Sequence, residues 1–361
     1  MLLFAGLLMR RNGISSPWLC VNSLLMVGII LGATILSPFA DYRWGGLLGF
    51  ALLAFLYILN LRDVQGGRAL RKLFMTANVL NIAGGVGIIV GYEPVRAFFV
   101  DYYSAFYPEL VELMTRIGKP VLTFGTHSLA GFFFYLFFFM NWETYKLRGG
   151  RPYLAFALGY IALGFSLMSV TGLVLMSIAV FQVLSHASQQ RPKMLASLAA
   201  IACFCAGLTL YHYRAEIEDI TEATKSVTDI MKSPTSGVFG RFSQTGTMFS
   251  TVRYLQDRPL SPIGVGFRDD LFVGDCGPVE YYLRGSFFLL AAVYVGLFFF
   301  LRENLISKRD AIYLFLVILF FEIGMTSLTY IRTLYLLPVI IVYLNDLRRS
   351  SEPVLADGMT I

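Results

Sequence analysis

Along the 361 residues the apolar positions fall in long uncharged runs, without the alternation of a half-buried strand or the single stripe of a soluble helix. Runs at 18 to 36, 44 to 61, 73 to 91, 121 to 142, 194 to 211 and 285 to 301 each have about the length of one membrane-crossing helix. Two others, 153 to 184 and 311 to 345, hold 32 and 35 residues. At helical rise either would reach roughly 48 Å or more, too far for one upright crossing. Arg148 and Arg151 precede the first and Arg191 and Lys193 follow it, while Lys308 and Arg309 precede the second and Arg348 and Arg349 follow it. Positive flanks stay in the cytoplasm, so each long run is expected to be a hairpin.

The expected fold is all-α, a polytopic transmembrane helical bundle of about ten spans with both termini cytoplasmic. Arg62, Arg68, Arg71, Lys72, Lys146 and Arg302 fall on the same inner side as the flanks above. Membrane helices one to seven take up 1 to 211, with an amphipathic outer segment at about 92 to 120, where Tyr102, Phe106, Leu110, Leu113 and Met114 recur at helical spacing. A large, partly helical extracytoplasmic loop runs from 212 to 284, short outer turns fall near Asp41 and Thr329, and helices eight to ten with a cytoplasmic tail take up 285 to 361. The opening MLLFAGLLM precedes Arg10 and Arg11, the reverse of a secretory signal, and reads as interfacial.

Composition agrees with this picture. With 57% hydrophobic and 14% charged residues and a mean hydropathy of +0.66, the chain is too apolar to cover itself with a polar surface. Many of the 32 Phe and 20 Tyr lie near span ends, where amphipathic rings favour the interface. The net charge of +6 is scattered between apolar runs and forms no stripe that would track a phosphate backbone, so no nucleic acid is expected. Cys20, Cys203 and Cys205 lie in apolar runs and Cys276 alone in the loop, which argues against a disulfide framework and a Cys/His zinc site. No metal and no cofactor is expected.

Candidate chemistry gathers in the loop. From 212 to about 233 the charges are spread around a helical pattern, as on a solvated helix. From 240 onward all five basic residues are arginines, namely Arg241, Arg253, Arg258, Arg268 and Arg284. A planar guanidinium grips phosphate oxygens in bidentate fashion, so an all-arginine set beside a membrane suits a lipid-linked phosphate or pyrophosphate. The competing reading pairs these arginines with Asp257, Asp269, Asp270, Asp275 and Glu280 in a structural network. Gly264-Val265-Gly266 matches neither a phosphate loop nor a dinucleotide fingerprint. Glu280 and Arg284, four apart, are either a helix-start ion pair or hold a carboxylate that acts as general base. His127 sits near the outer end of its span, where a lone histidine is either a packing residue or a base, and Arg116 and Lys119 lie just outside it. Glu322 and Arg332, the ionisable residues of the last hairpin, are either functional or a structural pair.

Two stretches resemble the O-antigen polymerase and ligase family, the enzymes that join lipid-linked sugar units outside the bacterial inner membrane. One is RIGKPVLTFGTHSLAGFF at 116 to 133. The other runs from 240 to 285, with Arg241, Gly264-x-Gly266, Asp275 and the EYYLRG approach to a span. The resemblance covers the layout of the chain, while its motifs occupy about 65 residues and rest more on order than on wording. The ligase branch carries a histidine after the Gly-x-Gly; here Asp269, Asp270 and Asp275 stand there, which favours a polymerase.

The resemblance implies metal-independent glycosyl transfer from undecaprenyl pyrophosphate to a hydroxyl of a lipid-linked repeat unit, at the periplasmic face of the inner membrane. Arg116, Lys119, Arg241, Arg253, Arg258, Arg268 and Arg284 would hold substrate, and Asp275, Glu280 or His127 would take the acceptor proton. The implied partners are the lipid-linked oligosaccharide, membrane lipid and other polysaccharide-assembly proteins such as a chain-length regulator or flippase. The alternatives are an O-antigen ligase, a transporter or flippase of lipid-linked oligosaccharide, and a scaffold whose loop binds a partner.

Overall fold

The computed structural model describes residues 16–39, 41–42, 44–103, 108–190, 249–258, 263–268 and 276–350. The opening apolar stretch, the run at 194 to 211, the first third of the loop with Arg241, the acidic stretch with Asp275, and the tail lie outside the described residues. Within them the fold is all-helical, relieved by an isolated bridge between Tyr42 and Arg268. Three helices are long and apolar enough to cross a membrane: Pro17–Leu36, Gly67–Ile89 and Gly277–Asn304. The chain forms two compact units, Met1–Arg71 with Val238–Ile361, and Lys72–Gly237.

In the first unit, α1 (Pro17–Leu36) and α2 (Trp44–Tyr57) pack with α10 (Gly277–Asn304), which also lies against α11 (Lys308–Gly324). Lipid offers polar groups no partner, so these helices are tied by side chains that reach backbone carbonyls. Asn22 Nδ2 donates to Ala292 O at 3.0 Å, and the Tyr57 hydroxyl to Val293 O at 2.8 Å. Gly296 makes room for both, since a Cβ there would sit 2.4 Å from Asn22. At the far end of α10, Asn345 of α12 (Ile331–Arg349) accepts from Ile306 N and donates to Asn304 O, and Arg348 grips the Asp310 carboxylate with two bonds of 2.9 and 2.7 Å.

The second unit contains most of α3 (Gly67–Ile89), then α4 (Glu93–Tyr103) and α5 (Pro108–Arg116), which share the segment expected as one amphipathic element. Its centre is α6 (His127–Arg148), buried on all sides from Leu129 to Thr144 and packed by α7 (Arg151–Ser166) and α8 (Val170–Gln190). Thr126 caps α6 by accepting from Leu129 N at 3.2 Å. Asn78 and Asn141 exchange reciprocal amide bonds of 3.0 Å, and the Tyr160 hydroxyl adds a third of 3.0 Å to Asn78, so α3, α6 and α7 are locked by one polar knot.

Both over-long apolar runs divide into two helices. In 153 to 184 the break lies at 167–169, where Met168 takes a left-handed φ of 47° and Ser169 Oγ accepts from Gly172 N at 3.0 Å. In 311 to 345 it lies at 325–330, where Glu322 is the anchor. Buried Glu322 accepts from the Tyr281 hydroxyl at 2.6 Å, Ser327 N at 2.5 Å, Ser327 Oγ at 2.6 Å and Leu328 N at 2.8 Å. Its bonding partners are these donors and not Arg332.

Candidate functional site: a docked glycine segment and its arginines

One end of the first unit is built around a fault in α10. Gly285 (φ −151°, ψ 25°) and Ser286 (φ 61°, ψ −163°) leave helical geometry, and Ser286 stands in a region that a side chain rarely tolerates. The fault frees the carbonyls of Leu283 and Arg284, which an unbroken helix would give to residues 287 and 288. The Gly264-Val265-Gly266 segment takes them instead, with Val265 N donating to Leu283 O at 2.8 Å and Gly266 N to Arg284 O at 2.9 Å.

Both glycines are required by this docking. A Cβ on Gly264 would lie 2.3 Å from the Arg284 carbonyl carbon, and one on Gly266 would lie 2.3 Å from Thr34 N. Gly266 also has φ +59°. Phe267 N then donates to Thr34 Oγ1 at 3.1 Å. The glycine pair therefore serves close backbone approach.

Arg284 closes the arrangement. Its guanidinium, 1% exposed, donates to Glu280 Oε1 at 2.8 Å and to Gly266 O at 2.9 Å, and lies 4.9 Å from the Phe267 ring centroid. Glu280 is buried with it. A charge so placed and partnered is a clamp, since leaving either partner alone would strand a buried charge.

The other described arginines of the loop are more open. Arg253 on α9 (Phe249–Asp257) and Arg258 just after it are exposed, and among the described residues neither pairs with a carboxylate. The Arg258 guanidinium lies over the Tyr254 ring at 4.5 Å, beside a small cleft that Gly264 and Tyr282 also line. Half-buried Arg268 lies over the Tyr42 ring at 4.7 Å, and its carbonyl accepts from Ser37 Oγ at 2.9 Å. Tyr254 meets Phe39 at 5.6 Å and Tyr42 stacks on Trp44 at 5.1 Å.

Arg116, Lys119 and His127 belong to the second unit. Arg116 is exposed and donates to Glu112 at 2.6 Å, one helical turn away. Half-buried Lys119 has its ammonium pKa held below the ordinary value by burial. His127 opens α6 with its Nδ1 unpartnered among the described residues. Glu280, Arg284, Arg268 and the glycine segment are thus brought together, and Arg258 lies beside that segment. No group of three or more His, Cys, Asp or Glu among the described residues is placed to hold a metal ion.

Sequence reasoning passed over the aromatic turn of Phe39, Tyr42 and Trp44, although the cluster SPFADYRW between two apolar runs was the signal for it. No family model, curated protein or solved structure matches the chain.

Proposed function

We propose that the protein is a glycosyltransferase of the bacterial inner membrane that polymerises lipid-linked saccharides at the periplasmic face. In this reading the chain crosses the membrane about ten times with both termini cytoplasmic, which the alternation of basic inner loops supports. The bond between the anomeric carbon and the pyrophosphate oxygen breaks, and its electron pair stays with the pyrophosphate. The acceptor hydroxyl oxygen forms the new bond and gives its proton to a base, for which Asp275 and His127 are the candidates, Glu280 being held by Arg284.

The observation that carries the reading is the division of labour among arginines. Arg284 is committed to Glu280 and Gly266, whereas Arg253 and Arg258 are exposed with no carboxylate partner among the described residues, as groups that neutralise a departing pyrophosphate need to be. Single Ala replacements of Arg253 and Arg258 are expected to shorten surface polysaccharide while leaving expression intact. Unchanged long chains in both variants would count against the reading.

A transporter of the same lipid-linked saccharides is the second reading. The fault at Gly285 and Ser286 and buried Glu322 favour it, because discontinuous helices and intramembrane carboxylates are features of transporter cores. Lengthening of the substrate by purified protein separates the two, since a transporter returns it unaltered.

A further inference from the structure

The two exposed tryptophans of the first unit are held in different ways. Trp18, 52% exposed, meets Phe299 edge-on at 6.4 Å and 77°, the loose contact of an interfacial anchor. Trp44, 67% exposed, lies nearly parallel to Tyr42 at 5.1 Å and 17°, and the guanidinium of Arg268 lies over that same tyrosine at 4.7 Å. Anchoring needs an amphipathic ring at the interface but no fixed ring plane. Stacking on Tyr42, a ring that also carries the Arg268 guanidinium, sets the indole plane before any ligand arrives.

Neighbouring residues keep this stack in place and its approach open. Tyr42 and Arg268 are joined by a backbone bridge, and Ser37 Oγ donates to Arg268 O at 2.9 Å. Gly46 lets the Phe267 ring lie where a Cβ would come within 2.4 Å of it, which seats the start of α2 on the docked segment. Next to Trp44, Gly45 has nothing within 4 Å of where its Cβ would be. Trp44 is thus an exposed ring stacked on a tyrosine that carries a cation.

From this we infer that Trp44 is a stacking platform for a sugar ring of an anionic saccharide, with the Arg268 guanidinium on the adjoining Tyr42 ring supplying positive charge nearby. The weakly polarised C–H groups on one face of a pyranose meet the negative face of an aromatic ring, while the cation suits the phosphate that a lipid-linked saccharide carries. This rests on the proposed function for the identity of the saccharide as a polyprenyl-linked one.

The test uses the full chain in nanodiscs of phosphatidylethanolamine and phosphatidylglycerol, with Trp44→Leu, Trp44→Tyr and wild type compared. Two probes are titrated: lipid-linked saccharide extracted from producing cells that lack this protein, and undecaprenyl pyrophosphate without sugar. Trp44→Leu keeps an apolar side chain at the interface but removes the stacking face. It is expected to weaken binding of the saccharide-bearing carrier about tenfold while affinity for the bare carrier stays within about twofold, and Trp44→Tyr is expected to restore most of the loss. Equal affinity of Trp44→Leu and wild type for the saccharide-bearing carrier would overturn the platform, as would an equal loss for both carriers, the sign of an anchor. Wild-type protein that lengthens the carrier while Trp44→Leu binds it normally removes the platform alone. Wild-type protein that binds neither carrier removes the proposed function and the platform with it.

Discussion

Replacing Gly264 with Ala puts the docking of the glycine segment to a direct test. The added methyl would stand 2.3 Å from the Arg284 carbonyl carbon, 2.4 Å from Gly285 N and 2.5 Å from Arg284 O, all backbone atoms that cannot swing aside. The segment must lift from α10, breaking the bonds Val265 N to Leu283 O and Gly266 N to Arg284 O and the bond from the Arg284 guanidinium to Gly266 O. Two neutral bonds at about 1 kcal/mol and one to a charged group at about 2 kcal/mol give a loss of about 4 kcal/mol. At roughly 2–4 °C per kcal/mol for a body of this size, the thermal midpoint in detergent should fall by about 10 °C. Tryptic cleavage after Arg268, at the end of the segment, should accelerate in parallel. Gly28→Ala and Gly32→Ala on α1 are the controls, because nothing lies within 4 Å of either added methyl and a helical glycine replaced by alanine gains about 0.5–1 kcal/mol. A Gly264→Ala protein that melts with the wild type and resists trypsin equally would refute the docking.

Two further substitutions separate structure from chemistry. Arg284→Ala should cost about 3–5 kcal/mol by stranding buried Glu280, whereas Arg258→Ala, on an exposed side chain, should leave the melting midpoint within about 0.5 kcal/mol of wild type yet shorten the polysaccharide; equal stability losses in the two would erase the distinction between clamp and ligand. In the second unit Asn141→Leu should cost about 1–2 kcal/mol through the orphaned Asn78 amide, and Asn78→Leu on top of it should recover part of that, as thermal unfolding of the single and double variants would report.

The helices themselves were legible, because the length of an apolar run is a strict constraint in a bilayer and run length with flanking charge called for a division in the two long ones. The position of the first division was not, whereas the second was expected at a short outer turn near Thr329 and lies at 325–330. Met168 at 167–169 carries no turn signal, and the fold at 325–330 depends on Glu322 accepting backbone N–H groups, a role that its lone charge in the sequence left open between a functional group and a partner for Arg332. The fault at Gly285 and Ser286 is hidden for a physical reason. It falls where the charged approach ending at Arg284 meets the apolar run from 285, which hydropathy reads only as the start of a span, and the segment that takes the freed carbonyls lies some 20 residues upstream.

The arginines show the same limit from another side. Arg284, Arg258 and Arg253 are alike as letters in an all-arginine stretch, and only burial separates the one that clamps Gly266 and Glu280 from the two that face outward. The Gly-x-Gly spacing matches no phosphate loop, and its use for backbone contact emerges from where the chain returns. Phe39, Tyr42 and Trp44 needed the partner arginines in space before they read as more than interfacial rings.

The central claim is chemical, and a single reaction tests it most directly. Purified full-length protein in nanodiscs is given lipid-pyrophosphate-linked repeat units, with chelator present and no nucleotide, and the products are resolved by length. The account predicts a ladder of products longer than one repeat, with release of polyprenyl pyrophosphate in step with each bond formed, and loss of the ladder in the Arg253→Ala, Arg258→Ala double variant. Substrate recovered at its original length from correctly folded wild-type protein would contradict it.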